Sequence, residues 1–317
     1  MKRFTKVCLI TSLVLILIGG TICTIGAVSG GFRLVNEMDR GEKVWDLLNR
    51  VEAAYDLDHF SDRWRINDIG TDDIVINEAV VDGAENGSGV YTDTGIDAAD
   101  VKKMEIAIGG AALYLKQSED DSFGIKIDGK GKYQYHESGG VFYLEGDKRK
   151  GKINSNEKVY LFIPREMSFQ EVEIEVGGGL VEIGELVSDE VDMTAGAGMI
   201  SAGQIKCRSL EVEVGAGMID LQGVETEKLN LNVGVGEALI EGNVKKKIDA
   251  ECGMGVINLV LDNNEKDYDY ELECAAGSID IGGKTYSALA ETKINNNANG
   301  ECELECSMGS ISVAFKK

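Results

Sequence analysis

Glycine returns at a fixed interval through the second half of this chain, and that interval constrains the fold more than any other feature. Gly179, Gly198, Gly217, Gly236 and Gly255 follow one another at steps of 19, 19, 19 and 19 residues. Each is the second glycine of a Gly-x-Gly triplet whose first members are Gly177, Gly196, Gly215, Gly234 and Gly253. Further copies at Gly277 and Gly309 come at steps of 22 and 32, so insertions open the last loops. An early copy runs from Met104 through Gly109-Gly110 to Leu113. A sustained period of this length marks a repeat architecture, whose unit cannot bury its apolar row alone and stacks on its neighbours.

Apolar and acidic residues alternate on both sides of each triplet. Before it the apolar sets are Val172/Ile174/Val176, Val191/Met193/Ala195, Leu210/Val212/Val214, Leu229/Leu231/Val233 and Ile248/Ala250/Cys252. After it they are Val181/Ile183, Ile200/Ala202, Ile219/Leu221, Ala238/Ile240, Ile257/Leu259, Ile279/Ile281 and Ile311/Val313. Side chains on a strand point alternately to its two faces, so each strand buries one row and wets the other. The Gly-x-Gly makes a corner, where glycine takes φ > 0 or permits close backbone approach. Stacked at about 4.8 Å, such units pair every backbone group with the coil above and below. The expectation is an all-β chain, a parallel β-solenoid of about 19-residue coils. Its 40 glycines, single proline and 6% aromatic content suit many short strands and tight corners better than a globular enzyme. Between Lys116 and Gln170 the period loosens into wider, more aromatic coils, and Pro164 marks a strand end because it cannot donate to a ladder.

The N-terminal part reads differently. Lys2, Arg3 and Lys6 precede an uncharged run from Val7 to Val28. Its 22 residues span about 33 Å as a helix, against a hydrocarbon core of about 30 Å. This is expected to be a single transmembrane helix with a cytoplasmic N-terminus and the repeats on the far side. Cleavage at Ala27-Val28-Ser29-Gly30 and acylation of Cys8 stay open as alternatives. Val44, Leu47, Leu48, Val51 and Tyr55 form one stripe of an amphipathic helix. With Phe60 and Trp64 it is the expected cap of the stack, a membrane-proximal dimerising helix being the other reading. The expected division is residues 1–30 for tip and anchor, 31–66 for helical stem or cap, and 67–317 for the solenoid. That last stretch includes an irregular entry with a strand-like Asp73–Asn77.

Val159-Tyr160-Leu161-Phe162-Ile163-Pro164 is followed by strand–Gly-x-Gly–strand units such as Val214-Gly215-Ala216-Gly217-Met218-Ile219. On these motifs the chain resembles, from about Asp100 to Lys317, the bacterial β-strand-repeat family labelled "putative adhesin", a cell-envelope domain of unknown function. The resemblance implies a membrane-linked bacterial protein, in some members tied to envelope stress, and it carries over no catalytic residue.

Little in the sequence points to chemistry. His59 and His136 have no partner at ligand or triad spacing. Gly215-Ala216-Gly217 lacks the third glycine of a dinucleotide fingerprint, and the repeats lack the aspartates of a calcium β-roll. No catalytic residue and no cofactor are expected. Of the cysteines beyond the apolar run, Cys252, Cys274 and Cys306 each precede a corner and should stack in successive coils as buried thiols, or bridge as neighbours. Cys302 and Cys306 lie four residues apart and cannot bridge within one strand. Two outward columns are expected: Glu173, Asp192, Glu211, Asn230, Asp249, Glu271 and Glu303, and Glu175, Thr194, Glu213, Asn232, Glu251, Glu273 and Glu305. Their plain reading is a solvated face that discourages aggregation. Their functional reading is a face for calcium or a polycation, carried by Glu173, Glu175, Glu211, Glu213, Asp249, Glu251, Glu273 and Glu305.

With 55 acidic against 32 basic residues, net −23, the chain is a poor candidate for nucleic acid or for electrostatic attachment to anionic lipid. The expected role is a non-enzymatic binding, adhesion or envelope scaffold, anchored by one pass in a bacterial membrane, with its solenoid extracellular and an unidentified protein or glycan ligand. A stress sensor working through a membrane partner is the alternative. A β-helical enzyme acting on polysaccharide ranks behind both.

Overall fold

A computed structural model describes residues 79–82, 92–118, 122–128, 132–146, 158–165, 167–287 and 290–316. The expected transmembrane helix, the amphipathic stem and Asp73–Asn77 lie outside these residues. Among them, the regular structure is strand apart from two single 3-10 turns, Ala98–Asp100 and Glu265–Asp267. No helix among the described residues is long and apolar enough to cross a membrane.

The first strands are β1 (Ala79–Asp82), β2 (Thr92–Asp97), β3 (Lys103–Ile108), β4 (Ala112–Gln117), β5 (Ser122–Asp128), β6 (Lys132–Ser138), β7 (Val141–Glu145) and β8 (Lys158–Ile163). The regular repeats supply β9 (Phe169–Val176), β10 (Leu180–Ala195), β11 (Met199–Lys206), β12 (Ser209–Val214), β13 (Met218–Val233), β14 (Glu237–Cys252) and β15 (Val256–Leu261). The chain ends with β16 (Tyr268–Cys274), β17 (Ser278–Ile281), β18 (Lys284–Ser287), β19 (Ala290–Ile294), β20 (Gly300–Cys306) and β21 (Ser310–Phe315). The expected stop at Pro164 falls where β8 ends.

These strands make two parallel ladders meeting at the glycine corner. One runs β7, β3, β9, then the second halves of β10, β12, β13 and β14, then β20 and β16. The other runs β8, β4, the first half of β10, β11, the first halves of β13 and β14, then β15, β21 and β17. From β9 to β15 neighbouring coils pair residues 19 apart, as in Val191↔Leu210 and Ile200↔Ile219. Every residue of the apolar sets given above for the two sides of a corner is buried. A third buried row, Leu186, Ile205 and Val224, lies past the second strand and escapes a reading centred on the glycines. Near it β13 bulges at Gly223, with φ +59, and a second register shift restores the period before Lys228.

Chain order and stacking order differ at both ends, which corrects the expected succession. The β3–β4 coil, met first, lies inside the β7–β8 coil, so the chain steps outward and then returns inward at β9. At the far end β20–β21, last in sequence, inserts between β14–β15 and β16–β17. The cysteine order is therefore Cys252, Cys306, Cys274, and the carboxylate order Asp249, Glu303, Glu271. The aromatic segment does not simply widen the coils either. β5 pairs antiparallel with β8 and β2, and β6 with β7 and β1. At the other end β18 and β19 lie antiparallel on β17 and β16. Antiparallel strands thus cover the terminal coils, meeting the need of any repeat stack for atypical ends.

The corner explains the glycines. Each middle residue donates its N–H to the coil before, as Ala197 to Gly177, Val235 to Gly215 and Met254 to Gly234, at 2.7–2.8 Å. The carbonyls lie so close that a Cβ at Gly198 would come 2.6 Å from the Gly179 oxygen. At Gly179, Gly217, Gly236, Gly255, Gly277 and Gly309 it would come closer still. None of these takes a positive φ, so of the two roles weighed for them, close approach is the operative one. The first glycine is less constrained, with 2.7 Å at Gly253 and 3.1 Å at Gly196 and Gly234. In the last two coils that position is held by Ser307 and Ala275, while Gly309 and Gly277 persist.

Candidate functional site

The outward faces of the strands before the corner form three columns. The first runs His136, Tyr143, Glu105, Glu173, Asp192, Glu211, Asn230, Asp249, Glu303, Glu271 and Lys293. The second runs Glu145, Ala107, Glu175, Thr194, Glu213, Asn232, Glu251, Glu305, Glu273 and Glu291. The third holds Lys103, Glu171, Glu190, Ser209, Lys228, Lys247, Glu301 and Asp269. Strand alternation aims these side chains at water, and parallel register sets their spacing at about 4.8 Å.

All eight carboxylates singled out from the sequence lie on this face. Glu173 and Glu175 are half-buried on β9 and stand in register with Asp192 and Thr194, while Glu211 and Glu213 are exposed on β12 and meet Asn230 and Asn232 on one side. Glu251, Glu305 and Glu273 form an unbroken run that Glu291 extends to the last strand. Glu105, Glu291, Lys103 and Lys293 escape the sequence reading because they lie outside the 19-residue register, whereas Lys228 and Lys247 lie on it, in a third column beside the two read from the sequence. Only the strand pairing brings them into line.

Lysines neutralise part of this charge. Lys103 reaches Glu171 at 2.5 Å, and Lys247 sits between Glu303 at 3.1 Å and Asp249 at 3.4 Å. Lys293 caps the first column by meeting Glu271 at 2.6 Å. Five carboxylates of the face hold their protons more tightly than usual. Burial, then the charges of Glu211 and Glu171, pushes Asp192 up to about 6. Burial is also the main cause at Glu105, Glu173, Glu175 and Glu305, helped respectively by Glu173, Glu171, Glu173 and Glu251. Among the described residues no three His, Cys, Asp or Glu side chains gather closely enough to hold a metal ion. The columns are lines of single carboxylates rather than a cage.

Two other surfaces flank this face. At the first end His136 stacks on Tyr143 with ring centroids 4.6 Å apart, and Tyr114 stacks on Tyr160 at 5.1 Å. Lys116 and Lys126 lie over the Tyr160 ring at 5.2 and 5.3 Å. Along the corner, Val235, Met254 and Met308 are 58, 52 and 48% exposed and make a short apolar ridge.

Residues 101–313 match the family described as Toastrack DUF4097. No curated protein matches the chain. Among solved structures, a "putative cell adhesion protein" from Clostridium sporogenes is 14% identical, with 76% of this chain and 100% of that one covered and a TM-score of 0.31. A "putative adhesin" from Bacteroides fragilis is 14% identical over 71% of this chain and 96% of its own, with a TM-score of 0.40. A "putative lipid binding protein" from Parabacteroides distasonis is 16% identical over 74% and 98%, at 0.39.

Proposed function

We propose that this chain, which belongs to the Toastrack DUF4097 family, is a non-enzymatic binding scaffold whose acidic face takes a polycationic partner. The observation that carries the reading is the run Glu251, Glu305, Glu273 and Glu291, four stacked carboxylates with no basic residue in their column. In water each neighbouring pair repels by about 0.9 kcal/mol before screening, a cost that an extended cationic ligand removes. A linear array of single charges matches a linear array of opposite charges. It is less suited to calcium, which wants six to eight oxygens around one point.

The scaffold reading is supported by the regularity of the repeat, which returns the same buried and outward rows coil after coil among the described residues. In the full proposal the run from Val7 to Val28 anchors the chain by a single pass in a bacterial membrane, and the solenoid faces outward. Titration of the full chain in detergent with poly-lysine tests the partner class. Binding should weaken steeply between 50 and 300 mM salt, on the order expected for several ion contacts, and Glu251→Lys with Glu305→Lys should abolish it. Binding that ignores both salt and charge reversal would contradict the proposal. Calcium at millimolar levels should shift the melting temperature no more than sodium at matched ionic strength.

A further inference from the structure

Five cysteines fall within the described residues, and four of them gather on three adjacent strands: Cys252 on β14, Cys302 and Cys306 on β20, and Cys274 on β16. These strands are where stacking departs from chain order, with the C-terminal coil β20–β21 seated between two coils formed from earlier sequence. Cys306 stands in register with Cys252 on one side and Cys274 on the other. Cys302 faces Ile248 and Tyr270 instead. The fifth, Cys207, directs its thiol to Thr226 at 3.5 Å.

Cys306 has a thiol neighbour one strand away on each side. The Cys252 sulfur fills the space beneath Gly309, and the Cys306 sulfur the space beneath Gly277. Register across one strand spacing, about 4.8 Å, falls inside the Cα range that a disulfide spans.

We propose that Cys252 and Cys306 are a redox modification site, a thiol pair that closes to a disulfide and locks the C-terminal coil into the stack. The oxidant is a disulfide-bearing thiol compound. When the C-terminal coil opens locally, the Cys306 thiolate attacks one sulfur of the oxidant, forming a mixed disulfide and releasing one thiol. As the coil begins to redock, before Cys252 is buried again, the Cys252 thiolate attacks the Cys306 sulfur, displaces the second thiol and forms the Cys252–Cys306 bond. Two protein thiols and one disulfide thus become one protein disulfide and two small thiols, which carry away both protons. In the closed coil burial raises both thiols, Cys306 to about 11, so exchange is gated by opening. The bond would close the loop from Cys252 to Cys306, which holds β15–β19 and β20.

The test uses the full chain, reduced, desalted and incubated with oxidised glutathione under native conditions. Remaining thiols are then alkylated in denaturant and the digest is mapped by mass spectrometry. The expected result is a Cys252–Cys306 cross-linked peptide with Cys207, Cys274 and Cys302 recovered alkylated. Hydrogen exchange of the β20 amides should be at least tenfold slower than in the reduced chain. Cys274→Ala should retain the cross-link and Cys306→Ala should lose it. A bridge from Cys306 to Cys274, glutathione adducts without a bridge, or no oxidation at all would overturn the proposal, and the unsubstituted chain suffices to reveal each.

Discussion

The two glycines of each triplet look equivalent in sequence but do different jobs in the corner. The second lies under the carbonyl of the coil before it, so a methyl group there must push two coils apart. Gly236→Ala is expected to cost about 1–3 kcal/mol, in the range for overpacking a close-packed interior, whereas Gly234→Ala, with 3.1 Å of room, should cost distinctly less. Denaturant unfolding of the two variants would separate them, and equal losses would contradict the account. The chain hints at this asymmetry, because the first position drifts to Ser307 and Ala275 while the second stays glycine. What no single repeat reveals is that the reason is close approach rather than a left-handed backbone. That depends on the neighbouring coil. Asp192 is the other instructive residue. Its carboxyl titrates higher in the folded chain than in the unfolded one, so the folded state binds the extra proton first. Stability should therefore rise as pH falls from 7 through about 6, and this contribution is lost again as pH rises through that value. Asp192→Asn, which copies Asn230 in the same column, should raise the melting temperature at pH 7 and flatten its pH dependence between 7 and 5. A lowered melting temperature at pH 7 would count against the ladder's repulsion.

Among elements, the inner coils are legible on both sides of each corner, because a constant 19-residue step fixes strand and register there, while the third buried row and the bulge at Gly223 are not. Nor are the terminal coils. At Gly277 and Gly309 the steps of 22 and 32 announce insertions, yet nothing local says that the later copy stacks inside the earlier one. That order is settled by pairing, Cys252 to Cys306 and Cys306 to Cys274, and by the turn from Asn295 to Asn299. There Asn297, at φ 54, redirects the chain, and Asn296 donates to Asp269 and Tyr268. The topology makes β20–β21 a wedge rather than a dispensable end. Removing residues 300–317 should strip partners from β14–β15 and β16–β17 together. Hydrogen exchange would then show loss of protection over Tyr268–Cys274 and Ser278–Ile281 as well as Val256–Leu261. Loss confined to one neighbouring coil would contradict the wedge. The acidic face was legible to the same extent as the coils that carry it. Its carboxylates, with Lys228 and Lys247 one 19-residue step apart, alternate with buried residues in plain sight, while Lys103 and Lys293 become part of it only once strands distant in sequence are paired.

At the scale of the whole molecule, the repeat body carries an acidic face broken only at a few positions, and the proposed anchor is the uncharged run from Val7 to Val28. A stack of this kind gains stability coil by coil and presents the same chemistry along its length, which suits display and binding better than turnover. The −23 net charge keeps such bodies apart and suits the cationic partner class proposed for the acidic face. The claim that this display faces outward is tested most directly by adding proteinase K to intact host cells and following a flexible epitope fused after Lys317. The account predicts that the epitope disappears while a cytosolic control protein survives. An epitope that resists on whole cells and is cut only after lysis would place the solenoid inside the cell and contradict the account.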